Sequence, residues 1–409
     1  MVITGLGAIT CIGHGKEGLW KGILAEKTGI RRVQRFDTSQ YRAKTAGEVN
    51  DFDPLNFFEA KRLRRLDRYA QMALVCAKMA MLDADLSWKP GVRHPCWGVS
   101  MGAALGGISE AEEQHSVFVQ KGVQFINPLL ALLVFGGSSS SNISIEFGFT
   151  GPCTTVSNSC ASGTIAIGEG ARYIREGYAD VMLTGGAEAP LSPLTFAAFD
   201  LIHTMSGIEN PAASCCPFSI QRDGFVMAEG AGMLVLESEE HARARGARVY
   251  AEFLGYSLNS DAYHMTASLP SGECAARCMK DALQDAGLGP EEIDYINAHG
   301  SSTPINDKNE TIAIKRALGK HAHRVAISGT KAYHGHALGA TGAMEAVIGV
   351  QILEHQFIPP TLHLEHPDPE CDLDYTPLHG RSFSVNTVLS NSFGFGGVNA
   401  TIILGRYGP

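Results

Sequence analysis

Cys160, His299 and His336 are the residues of this chain whose types and settings could do chemistry. Cys160 lies in the stretch Thr154-Thr155-Val156-Ser157-Asn158-Ser159-Cys160-Ala161-Ser162-Gly163. The β-branched residues Thr154 to Val156 predict a buried strand, and the small polar residues after them predict a tight turn. A helix is expected over Ala161 to Arg175, with Ile165, Ile167, Ala171 and Ile174 as its apolar positions. A cysteine at that corner has its sulfur near unpaired backbone N–H groups and the positive end of a helix dipole. Both favour the thiolate, the reactive form. A free cysteine elsewhere more often packs as a small apolar side chain. The succession of strand, turn, Cys and helix points instead to a nucleophile.

Two further turns carry histidines. Asn297-Ala298-His299-Gly300-Ser301-Ser302-Thr303-Pro304 follows an apolar strand and adds a run of hydroxyls. Lys331-Ala332-Tyr333-His334-Gly335-His336-Ala337-Leu338-Gly339-Ala340 is rich in Gly and His. A fourth segment, Asn391 to Asn399 (NSFGFGGVN), reads as a glycine-rich turn with two phenylalanines. Its backbone can approach a site closely and can move.

The elements that must position these turns read as α/β. The first half offers strands over 1–10, 97–100, 180–186 and 231–237, with helices over 15–25 and 239–246. The second half offers strands over 250–256, 294–298, 325–328 and 398–404, with helices over 274–286, 306–318 and 342–354. Each half delivers a reactive residue at a strand–turn–helix junction. That recurrence suits a duplicated architecture in a chain of 409 residues. Lys61 to Asp85 predicts one amphipathic helix whose first turns hold Lys61, Arg62, Arg64, Arg65 and Arg68. In a chain of net charge −9 that run is the natural place to dock an acidic partner. GGSSSSN at 136–142 reads as low complexity, and 203–216 as irregular.

Composition removes several functions. The acidic balance argues against general nucleic-acid binding. The Gly-rich loop at 102–107 (GAALGG) is neither GxGxxG nor GxxxxGK[ST], so nucleotide binding is rejected. Ten cysteines form no CxxC pair and no zinc-like Cys/His spacing, so no metal is expected. The i,i+4 pair Cys274 and Cys278 does not change this. The longest apolar run, Leu129 to Phe135, is far shorter than the roughly 20 residues of a membrane span. The chain opens on a β-like segment with no visible leader. A cytoplasmic, reducing setting with free thiols is the expectation.

Taken together, the Cys160 turn, HGSSTPINDKNE at 299–310, GHALGATGAMEA at 335–346 and NSFGFGGVNA at 391–400 resemble the signatures of β-ketoacyl-ACP synthases. The likeness is greatest to the 3-oxoacyl-ACP synthase II type, and it runs over nearly the whole chain in family order. It implies a thiolase fold: duplicated βαβαβαββ halves, here 1–249 and 250–409, in an α-β-α-β-α five-layer arrangement, as a homodimer. It implies a decarboxylative Claisen condensation with no metal or organic cofactor, since loss of CO₂ makes the carbanion. Its substrates are acyl and malonyl thioesters on acyl carrier protein. Residue by residue, the resemblance makes Cys160 the nucleophile that takes the acyl chain. It makes His299 and His336 the pair that promotes decarboxylation and stabilises the enolate. Backbone N–H groups of Cys160 and Phe395 match an oxyanion hole. Lys331 matches a lysine near the second histidine, Glu345 a buried glutamate that orders the site, and Phe395 a gating phenylalanine. Phe393 belongs to the substrate-binding set. Thr266, Ser301 and Thr303 match the lining of the pantetheine tunnel, and Leu105 the acyl pocket. Lys61, Arg64 and Arg65 match the patch that grips the carrier protein.

The chain departs from the family wording at Asn158-Ser159, at Ser301 in place of threonine, and at Tyr333-His334, which puts an extra histidine before His336. It departs also at 136–142 and 203–216. An alternative of the same fold is a ketosynthase of a type II polyketide or polyene pathway, possibly paired with a chain-length factor. A thiolase would need a second catalytic cysteine late in the chain, where the Gly-rich turn holds Phe instead. A non-catalytic chain-length factor would lack the Cys160, His299 and His336 set.

Overall fold

The computed structural model of the chain describes residues 1–408. Ten strands carry the fold: β1 (Val2–Thr10), β2 (Trp97–Gly102), β3 (Cys153–Val156), β4 (Val181–Glu188), β5 (Gly230–Glu237), β6 (Ala251–Ser260), β7 (Tyr295–Asn297), β8 (Ala326–Ser328), β9 (Thr387–Gly394) and β10 (Val398–Arg406). The first five lie in the order β3-β2-β4-β5-β1 and the last five in the order β8-β7-β9-β10-β6. These are the same order of first to fifth strands. In each set the second strand runs parallel to the third and fourth, the fourth antiparallel to the fifth, and the fifth antiparallel to the first. The two sets touch only where Val2 and Ile3 of β1 pair with Glu252 and Ala251 of β6.

Five helices complete the layers: α1 (Arg68–Asp83), α2 (Ser162–Arg175), α3 (Glu273–Ala286), α4 (Pro304–Leu318) and α5 (Thr341–His355). α2 and α5 pack on each other and on strands of both sets, so they form the middle layer. α1 covers the outer face of the first sheet, and α3 with α4 that of the second. The sequence explains the placement. Every residue of α5 from Thr341 to Leu353 is buried, as a helix between two sheets requires. In α3 the buried positions Ala275, Ala276, Met279, Ala282 and Leu283 form a single stripe, as on a helix with one wet face. Strands alternate accordingly: Leu234 and Leu236 of β5 face the middle layer, while Met233 and Val235 face α1. This is the α-β-α-β-α thiolase arrangement that the resemblance implied.

Small residues let the middle helices approach. A Cβ on Gly163 would sit 2.8 Å from the Gly339 carbonyl oxygen and 3.0 Å from the Ala343 nitrogen. No larger residue fits there without moving backbone.

Three expectations are corrected. The helix expected over Lys61 to Asp85 is two helices, Ala60–Leu63 and α1. The Asp67 side chain accepts from the Ala70 N–H at 3.1 Å and starts the second, a local bond that outcompetes helix continuity. The strand at Thr154 to Val156 is half-buried, because β3 is the edge of its sheet. The glycine-rich turn expected over 391–399 is mostly strand: β9 runs to Gly394 and β10 starts at Val398. Gly396 and Gly397 supply the two left-handed residues of this hairpin, at φ 86° and 74°. The serine run is also ordered. Ser138–Phe147 is a helix, Ser138 to Ser140 are buried, and Ser140 Oγ shares a hydrogen with Thr155 Oγ1 at 2.7 Å.

Candidate active site

The Cys160 turn is built by its neighbours. β3 runs into Ser157 and Asn158, and Ser159 takes a left-handed φ of 50°. The chain then winds through a short 3₁₀ turn, Ser159–Ala161, into α2. Ser162 Oγ accepts from the Asn158 N–H at 2.8 Å and donates to the Ser159 carbonyl at 2.7 Å, which pins the turn. The end of β9 lies against it. A Cβ on Gly394 would be 3.1 Å from the Asn158 oxygen and 3.3 Å from the Cys160 nitrogen.

The sulfur is buried among Phe196, Met205, Phe225 and Leu338. Burial pushes the Cys160 thiol up to about 12. The Lys331 charge and the N–H groups of Phe395 and Cys160 act the other way, and Glu188 adds to the rise. The backbone N–H groups at the turn favour the thiolate, as expected, but burial outweighs them. The helix start does lower the pKa, but desolvation by segments far away in sequence is the larger effect. Cys160 is therefore a thiol near neutral pH and needs a base to become a nucleophile.

The two imidazoles share its cavity. The backbone N–H groups of His299 and Gly300 each donate to Glu310 of α4, at 2.8 Å. The Lys331 ammonium donates to the His299 carbonyl oxygen and, at 2.7 Å, to Glu345 Oε1. The His336 N–H donates to the Val226 carbonyl at 2.7 Å, and the Ala228 N–H donates to the His336 carbonyl at 2.9 Å. His336 Nδ1 lies 2.9 Å from Thr341 Oγ1. A hydroxyl proton donated there leaves the ring proton on Nε2. The two rings stand 5.5 Å apart at 82°. Burial first, and then the Lys331 charge, hold both imidazoles well below the usual histidine range. His334 is also buried, with its Nδ1 2.8 Å from the Gly335 carbonyl oxygen, but it does not line the cavity.

The cavity holds about 270 Å³. Its walls are apolar at Phe199, Phe225, Leu338, Phe393 and Phe395, and polar at Thr266, Ser301 and Thr303. The Phe393 ring is 5.7 Å from that of His299, and Phe395 stacks on Phe199 at 6.2 Å. Cys160, His299, His336, Phe393, Phe395, Thr266, Ser301 and Thr303 thus come together. Three residues do not reach the cavity. Lys331 and Glu345 form a fully buried ion pair behind it, and Lys331 grips His299 rather than the second histidine. The pair ties the backbone that carries His299 to α5. Leu105 packs in the apolar cluster around Cys160 but does not line the cavity. On the surface, Lys61, Arg64 and Arg65 are exposed and make no ion pair among the described residues. Their neighbours are engaged: Arg62 pairs with Glu146 at 2.9 Å and Arg68 with Glu229 at 2.8 Å.

Sequence reading missed Glu310, Thr341 and Glu188. Glu310 closes the segment that His299 opens, and Glu188 is a charged residue ending a wholly buried strand. The latter is a signal that a carboxylate is being used inside.

Neutral imidazoles have a consequence for pH. Their folded pKa values lie below the unfolded value near 6.5, so the active neutral forms persist through the range where an ordinary histidine charges. A reaction step that needs the neutral imidazoles should show no acid inflection near pH 6.5, only one well below it. A rate profile that halves between pH 7 and 6 would contradict this.

A duplicated five-layer α/β chain that gathers a cysteine at a helix start and two neutral histidines in one apolar cavity is a condensing enzyme of the thiolase fold. Residues 1–242 match the β-ketoacyl synthase N-terminal domain and residues 250–365 its C-terminal domain, and the chain belongs to the β-ketoacyl synthase family. It is 43% identical to the 3-oxoacyl-[acyl-carrier-protein] synthase 2 of Synechocystis sp., over 100% of this chain and 98% of that protein. Among solved structures it is similar to a chain of the ishigamide ketosynthase/chain length factor, with a TM-score of 0.93, 37% identity and coverage of 100% and 99%. It is also similar to a type II polyketide ketosynthase in complex with its acyl-carrier protein, with a TM-score of 0.88, 37% identity and the same coverage.

Proposed function

We propose that the chain is an acyltransferase that condenses an acyl group, held on Cys160, with malonyl-ACP to give 3-oxoacyl-ACP in fatty-acid elongation. The observation that carries this is the shared cavity of one thiol and two neutral imidazoles. A neutral imidazole takes the Cys160 proton as the sulfur attacks the acyl thioester. The N–H groups of Cys160 and Phe395 receive the developing oxyanion, and the pantetheine thiol leaves with the proton. Malonyl thioester then loses CO₂, and the electron pair passes into an enolate whose oxygen takes N–H bonds from His299 and His336. The enolate carbon attacks the acyl-Cys160 carbonyl, a C–C bond forms, and the C–S bond to Cys160 breaks. Atoms and electrons balance without a resident metal or organic cofactor. Mixing the protein with acyl-ACP and malonyl-ACP should release one CO₂ per 3-oxoacyl product; CO₂ without extended product would contradict the reading.

The polyketide alternative draws on the two solved ketosynthases at 37% identity, against 43% for the elongation relative. Repeated condensation on one chain without reduction would favour it.

Acyl carrier protein is the proposed macromolecular partner. The unpaired Lys61, Arg64 and Arg65 support docking of its acidic surface. Reversing the three charges should raise KM for carrier-bound substrates at least about tenfold at low salt, and leave a small acyl-pantetheine substrate unaffected. Equal loss on both substrates would count against docking. A second copy, or a chain-length-factor partner, is proposed at the open edge of β3, where the adjoining helix exposes Ile145. The recurring strand order supports reading 1–249 and 250–409 as the two halves. No helix among the described residues is long and apolar enough to cross a membrane. The ten free cysteines support a reducing, cytoplasmic setting.

A further inference from the structure

Glu188 ends β4 and is fully buried, and the chemistry above leaves it unused. Its carboxylate accepts four backbone N–H bonds from two loops. Ala104 at 2.6 Å and Gly339 at 3.1 Å donate to Oε2. Leu105 at 3.0 Å and Gly106 at 3.2 Å donate to Oε1. The first loop follows β2, and the second lies between His336 and α5. No Lys, Arg or His among the described residues pairs with Glu188 as an ion pair. Its partners are all main chain.

The geometry around it is closed to other side chains. A Cβ on Gly339 would fall 2.7 Å from Glu188 Oε2, and one on Gly186 would fall 2.7 Å from the Gly339 oxygen. A Cβ on Gly163, next to the Cys160 turn, would fall 2.8 Å from that same Gly339 oxygen. Two loops therefore share the carboxylate as acceptor, and the backbones at Gly163 and Gly186 close in on the Gly339 loop beside it. Leu105 and Leu338 project from the two loops it ties, and both pack in the apolar cluster that contains Cys160. Leu338 also lines the cavity.

We propose that Glu188 is a positioning residue that fixes Leu338 in the cavity wall and packs Leu105 behind that wall, and so sets which acyl chains load beside Cys160. The inference rests on the condensation reading above. His336 has its own anchors at Val226, Ala228 and Thr341, so the decarboxylating half of the site does not depend on Glu188.

Glu188→Gln keeps the shape but turns one acceptor into an amide NH₂ that faces two backbone donors, which must move apart. The test measures the rate of acyl transfer to Cys160 by mass spectrometry for carrier-bound chains of graded length, and malonyl decarboxylation beside it. The expected result is a change of about tenfold or more in the long-to-short loading ratio, the size of effect a methylene-scale change in a pocket produces. Decarboxylation should stay within a few-fold of the unmodified protein. An unchanged loading ratio, or parallel loss of loading at all lengths and of decarboxylation, overturns the proposal. Should the glutamine variant not accumulate, Glu188→Asp, which keeps the charge on a shorter arm, is read in the same two assays with the same outcomes deciding. Loading that proceeds without any later condensation in the unmodified protein would sink the condensation reading alone, since the loading ratio is read before that step.

Discussion

Cys160→Ala is expected to lower condensation by about 10⁴-fold or more, the scale of loss when a nucleophile acting in concert with its base is removed. The same variant should still release CO₂ from malonyl thioester. The basis is the proposed division of the cavity, with the sulfur and the N–H groups of Cys160 and Phe395 for acyl transfer and His299 and His336 for the enolate oxygen. The alanine retains its own N–H, and neither imidazole depends on the sulfur for a hydrogen bond. Measuring ¹⁴CO₂ from labelled malonyl thioester beside product formation separates the two. Condensation that survives at more than a few per cent would place the nucleophile elsewhere.

The second large effect falls on the histidines. His299→Ala or His336→Ala should each slow decarboxylation about 10²- to 10³-fold, as removal of one oxyanion donor does. Acyl loading onto Cys160 should also fall where the removed ring is the base for its proton, but less, because the other imidazole and the backbone donors to its oxyanion remain. The two substitutions together should not multiply, since both imidazoles serve one oxygen. Loss of loading and decarboxylation in equal measure would contradict the assignment of these rings to the enolate.

Both predictions depend on residues that the sequence displays openly. Cys160 and His299 follow strands within a few residues, His336 follows the short helix Lys331–His334, and the small residues around all three mark them as turns. The duplicated architecture was legible from the family resemblance and from the recurrence of strands and helices in each half, whereas the strand order came only with the structure, because the spacings between strands differ in the two halves. Tertiary effects were not legible. The thiol of Cys160 is pushed up by burial, and the apolar cluster it belongs to draws on Phe196, Met205, Phe225 and Leu338, up to 178 residues away. No window around Cys160 contains them, so the helix-start argument saw only the lowering half of the balance. The basic run at 61–68 read as one helix because periodicity does not see that Asp67 can start a new one. Lys331 is five residues from His336 in sequence, yet its ammonium turns to the carbonyl of His299 and to Glu345, a choice made by burial on all sides. Leu105 shows a milder case. Its loop approaches Cys160, but the tie to Glu188 holds it one layer back from the cavity.

The central claim is that Cys160 carries the acyl chain between two carrier-bound substrates. Peptide-level mass spectrometry after mixing the protein with acyl-ACP alone tests it directly. The account predicts one acyl group per chain, on Cys160, which disappears as 3-oxoacyl product when malonyl-ACP is added. An acyl group found on another residue such as Cys216, or product formed while Cys160 never becomes acylated, would contradict it.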